Sequence, residues 1–177
     1  MRPLPLLTGD RSALLGIYLN DHLAGATAGL ELFRRATGSA TGTTRDTLAR
    51  LTTEVQQDRE ALLDLLARLD VPVRHYKVLG GWALEKVGRL KLNGSLLRRS
   101  PLSDLVELEG LVLAVQGKAA GFRALRRVAE AEPRLDAAEL DALVDRAGRQ
   151  ADTLEQLRLQ TAARVLPPDP GVDLSPV

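Results

Sequence analysis

The chain has two histidines and no cysteine among its 177 residues. Thiolate catalysis, disulfides and Cys-ligated metals are therefore excluded. Ser, His and Asp all occur, but no Gly-x-Ser-x-Gly elbow does, and Gly80-Gly81 is too short for a phosphate-cradling loop. What remains is a set of ionisable residues inside or beside apolar stretches of helical period: His22, Asp58, Glu109 and Arg158, with Glu54 one turn before Asp58. An imidazole and two carboxylates, here His22, Glu54 and Asp58, are donor types for a single transition metal. A carboxylate facing a guanidinium forms an ion pair instead.

Helices must position these groups. Aromatic residues make up 3% of the chain and apolar residues 45%, so any core is built from Leu, Val and Ala, which favours helix packing over a β-sandwich. The first helix is expected from about Asp10, a plausible N-cap, to Ala36, with Thr37-Gly38 as its stop. After a loop over 38–42, Thr43 caps a second helix, with Asp46 at its third position, that runs to about Leu69 before Pro72. Ser100-Pro101 opens a third, to about Ala131 ahead of Pro133. Asp136 with Glu139 resembles a capping box for a fourth, to about Val165. Residues 1–9 form an N-terminal extension, 10–165 the helical domain, and 166–177 a Pro-rich tail expected to be disordered.

The stripes of the first two helices pair by number. Leu15 with Leu66, Leu19 with Leu62, Leu30 with Leu51 and Phe33 with Leu48 have a constant sum, as an antiparallel hairpin requires. The gaps in these stripes, His22 and Asp58, fall in one layer. In the other hairpin, Glu109 and Arg158 are mirror positions about the turn near 133–134. Isolated charges are rarely buried, so two oppositely charged pairs, His22 with Asp58 and Glu109 with Arg158, would satisfy one another near the middle of the bundle. The alternative is that the long side chains of Glu109 and Arg158 lie at the seam edge and reach water.

Residues 70–99 between the hairpins form a connector far longer than a tight helix–helix turn. It is expected to hold a short helix from Trp82 to about Leu92, and it is long enough to cross the bundle and leave helices two and three parallel. Two hairpins, such a crossover, and inward polar residues at mid-height resemble the ferritin-like family. The resemblance implies di-iron ligands of one Glu from each of two helices and a Glu-x-x-His from each of the others. Here His22 stands where the first Glu would be, and Val55-Gln56-Gln57-Asp58 where the first Glu-x-x-His would be. Glu109 matches the second Glu, and Glu155-Gln156-Leu157-Arg158 puts Arg at the last His position. The stretches Tyr18-Leu19-Asn20-Asp21-His22 and Glu85 to Gly94 are also similar to small actinobacterial-type ferritin-like proteins of unassigned function. An Arg in a two-cation site repels metal. The expectation is therefore a non-enzymatic ferritin-like bundle without cofactor, its di-iron site replaced by charged pairs, with a structural or interaction role. The alternative is a metal-binding or oxidoreductase relative holding iron or manganese.

Two further features concern partners. The connector carries seven basic residues against two acidic ones, and Lys86, Arg89, Lys91, Arg98 and Arg99 could present a basic face to anionic membrane or nucleic acid. The competing reading docks its apolar residues on the bundle and leaves its charges in water. Gly25 and Gly29 on the first helix, and Gly110, Ala114, Gly117 and Gly121 on the third, line faces suited to close helix approach within the bundle or, alternatively, to a homodimer contact. No apolar run reaches the length of a membrane span, Met1 to Leu7 is too short for a signal peptide, and cytoplasmic is the default location.

Overall fold

The computed structural model describes residues 8–74 and 101–166. Among them are four helices and no strand: α1 (Thr8–Ser39), α2 (Gly42–Arg68), α3 (Pro101–Val128) and α4 (Ala137–Val165). The described residues are all-α, and their helices pack together, α1 against α2 and α3, and α3 against α4. The connector helix, the basic residues Lys86, Arg89, Lys91, Arg98 and Arg99, and the Pro-rich tail from residue 167 lie outside the described residues. None of the described helices is long and apolar enough to cross a membrane.

The helix boundaries show which local signals prevailed. α1 starts at Thr8, inside the expected extension, and runs through Thr37-Gly38, where a stop was expected. The backbone ladder continues to Ala40, whose N–H donates to the Ala36 carbonyl at 3.0 Å. The Ser39 hydroxyl donates to the same carbonyl, also at 3.0 Å, and Ala36 is buried. The left-handed residue that ends the turn is Gly42 (φ +56), so Thr41 rather than Thr43 is the N-cap of α2, and it makes no side-chain cap bond. At the far end of α2, Asp70 (φ 54) turns the chain, an excursion that Asp tolerates better than most residues. Asn20, 2% exposed, then clamps the departing chain to α1: its amide donates to the Pro72 carbonyl at 3.1 Å, and its Oδ1 accepts the Arg74 N–H at 2.7 Å.

At α4 the expected cap is present, with Asp136 accepting the N–H of Ala138 at 2.8 Å. Glu139 does not close the box. Its carboxylate pairs instead with Arg68 of α2 at 2.7 Å. Contacts along α1 and α2 run from Thr37 with Thr52, through Thr27 with Arg59, to Asn20 with Pro72. Those along α3 and α4 run from Glu109 with Arg158 to Arg126 with Asp141.

The apolar interior forms two clusters. One gathers around Phe33, Leu51 and Val55 with Leu111, Val115 and Leu154. The other gathers around Leu19, Leu62 and Leu66 with Phe122, Leu125 and Leu140. Phe33 and Phe122 are both buried, one in each cluster, and Leu supplies most of the remaining bulk. Along α2 the residue between the two clusters is Asp58.

Candidate functional site

Asp58 follows Leu48, Leu51 and Val55 and precedes Leu62 on the buried face of α2, and this periodicity takes its carboxylate fully inside, with 0% of the side chain exposed. A lone carboxylate there would be prohibitively desolvated. Cations and an amide from α3 and α4 neutralise it. Oδ1 accepts Arg146 Nε at 2.6 Å and a second Arg146 N–H. Oδ2 accepts Gln150 Nε2 at 3.1 Å and the Lys118 ammonium. Lys118 donates also to Gln150 Oε1. Gln150 Nε2 reaches Glu54 Oε2 at 3.1 Å, and Arg50 holds the other Glu54 oxygen at 3.0 Å. Among the described residues no buried side-chain nitrogen or oxygen lacks a hydrogen-bond partner. Burial holds the Lys118 pKa below the usual lysine value, and the Asp58 carboxylate opposes that shift.

His22 does not pair with Asp58, contrary to the sequence expectation. Its ring packs edge-on to Tyr18 with centroids 4.4 Å apart. On the α3 side, a Cβ at Gly121 would stand 2.7 Å from ring atoms, so the absence of a side chain at Gly121 makes room for the imidazole. Desolvation lowers the His22 pKa, with Asp21 acting against it. The four acceptor positions of Asp58 are already taken by cationic or amide donors, and a half-buried imidazole competes poorly with them. Glu54 also turns to Arg50 and Gln150. Among the described residues no three His, Asp or Glu side chains come together as a group that could hold a metal, so His22, Glu54 and Asp58 are not assembled as a ligand set.

Glu109 and Arg158 do meet, at 3.7 Å, but not inside. Their side chains are 47% and 25% exposed, and Arg158 is bound more closely by Glu155, through two contacts of 2.7 Å. The Glu155 bond raises the Arg158 pKa, and the same bond lowers that of Glu155. Arg158 lies eight residues beyond Gln150 in α4, about 12 Å along the axis at 1.5 Å per residue. His22, Asp58, Glu109 and Arg158 therefore do not form one cluster. The buried cluster is Asp58, Lys118, Arg146 and Gln150. Of these, Gln150 left a trace in the sequence, since it falls between Ala147 and Leu154 in the α4 stripe. Lys118 and Arg146 flank their stripes and look like ordinary surface cations.

Beside this cluster a groove of about 840 Å³ opens between α1 and α3. Tyr18, His22 and Gly25 line it from α1, Gly117 and Lys118 from α3, and Asp58 from α2. Toward one end of it α1 and α3 approach closely: a Cβ at Gly29 would stand 3.7 Å from Ala114, and one at Gly110 would stand 3.3 Å from Leu32. No family model, curated protein or solved structure matches the chain.

Proposed function

We propose that the chain is a ferritin-like bundle of two antiparallel hairpins joined by a crossover, in which a buried ion cluster stands in place of a di-iron centre, and that it acts as a structural or interaction protein rather than an oxidoreductase. The observation that carries this reading is the saturation of Asp58. Its carboxylate is the one ionised group carried fully into the described interior, and Lys118, Arg146 and Gln150 occupy all its acceptor positions. With Glu54 held by Arg50 and Gln150, three cations face two carboxylates, which leaves no net negative charge to attract a divalent ion. The hairpin topology is supported by contacts whose residue numbers fall along one helix as they rise along the next.

The test is elemental analysis of protein purified without chelators and then incubated anaerobically with ferrous or manganous salt. Metal well below one ion per chain after gel filtration is expected. Two stoichiometric ions per chain would overturn the reading, and loss of those ions in Asp58→Asn would locate them.

A further inference from the structure

We infer that the groove between α1 and α3 binds an elongated apolar molecule with an anionic end, of the fatty-carboxylate class, whose head the Lys118 ammonium receives. The volume lies within the range typical of small-molecule sites. Its lining residues on α1 run from Tyr18 to Phe33, about 22 Å at the helical rise, and it narrows where Gly29 meets Ala114, so its shape suits a slender chain rather than a compact ring system. Glycine keeps it open on both sides. Gly121 is required by the His22 ring, but a Cβ at Gly25 or Gly117 would meet nothing within 4 Å. Glycine weakens a helix interior, and at these two positions no close approach compensates for it. What the missing side chains preserve is space.

The polar groups set the sign of the head. Tyr18, Asp21, His22, Asp58 and Lys118 line the groove. Asp21 is exposed, and Asp58 has its acceptor positions filled. Lysine has three N–H donors. Asp58 and Gln150 take two, and the third has no acceptor among the described residues. Arg146 and Lys118 together outweigh the Asp58 charge and Arg50 offsets Glu54, so apart from the solvent-exposed Asp21 the cluster beside the groove carries positive charge in excess. A carboxylate complements that excess, whereas an ammonium would be repelled. This inference rests on the groove and stands whether or not metal binds elsewhere.

Calorimetric titration of the full chain with decanoate, decanol and decylammonium, each below its aggregation threshold, tests it. One decanoate per chain is expected, with decanol and decylammonium at least about tenfold weaker. Gly117→Leu fills the groove where nothing opposes a side chain, and it should cut decanoate binding by at least about tenfold while circular dichroism stays native and the melting transition does not fall. Lys118→Gln should remove the preference for acid over alcohol. Should Lys118→Gln fail to fold, Gly117→Leu decides alone. Equal binding of the three probes, no uptake, or undiminished uptake by Gly117→Leu would overturn the inference. So would a dimer in sedimentation that Gly117→Leu dissociates, because a second copy would then own the groove.

Discussion

Asp58 and His22 line the same groove, yet their environments differ in kind. Asp58 is surrounded by donors that stabilise its charge, whereas His22 loses water and gains only the opposing charge of the neighbouring Asp21. Burial places the folded imidazole pKa below the ordinary value of 6.5. Between the folded and unfolded pKa the unfolded chain binds more protons, so stability rises with pH there and is lost as pH falls from 6.5 through the folded value. Urea midpoints measured from about pH 7.5 down to about pH 5.5 should therefore fall more steeply for the native chain than for His22→Gln. Parallel pH profiles for the two proteins would show that the ring is solvated in the folded state. The expected His22–Asp58 pair failed for a related reason. Pairing residues by constant sum fixes height along a hairpin, but it does not fix which way each side chain points around its axis. Lys118 and Arg146 carry their charges on long stems, and they reach the carboxylate from helices that the α1–α2 pairing leaves out.

At the scale of the helix, the glycines of α3 separate two uses of the same residue. Gly117 faces open space, while Gly121 sits under the His22 ring. Gly117→Ala should raise stability by about 0.5–1 kcal/mol, the usual helix gain with nothing to offset it. Gly121→Ala should gain nothing or destabilise, because its methyl displaces the imidazole, and the His22 ring resonances should shift with it. Chemical denaturation of both variants, with proton spectra of the ring, distinguishes them; equal gains would mean that α1 and α3 are looser than described. The same scale explains what the sequence made legible. Apolar periodicity located the buried stripes of α1 and α2, and Asp136 was recognisable as a cap because its short acceptor reaches the first free N–H groups. Thr37-Gly38 misled because glycine ends a helix only where the chain turns left-handed, and here Ala36 packing and the Ser39 back-bond carry the helix on to a turn at Gly42. Asn20 was not legible at all: its partners Pro72 and Arg74 lie more than 50 residues away, and no local spacing announces them.

Across the whole molecule, one polar layer lies between two leucine-rich clusters, and the layer is built from three helices at once. Such a layer adds little net stability compared with an apolar one, but removing a single member leaves an uncompensated charge and costs about 3–5 kcal/mol. By contrast, the Glu109–Arg158–Glu155 contacts lie at a partly hydrated edge, where ion pairs are worth little. The mirror relation of Glu109 and Arg158 was legible from the turn, but their depth was not, because side chains this long reach water from a seam position. Asp58 is therefore neutralised by the protein's own cations. A double-mutant cycle measures that directly. Asp58→Ala, Lys118→Met and the double variant, compared by urea denaturation at neutral pH, should show a coupling energy of about 2 kcal/mol, with the double variant far less destabilised than the two single losses combined. Additivity within about 0.5 kcal/mol would mean that Lys118 does not hold Asp58, and the proposed ion cluster would not exist.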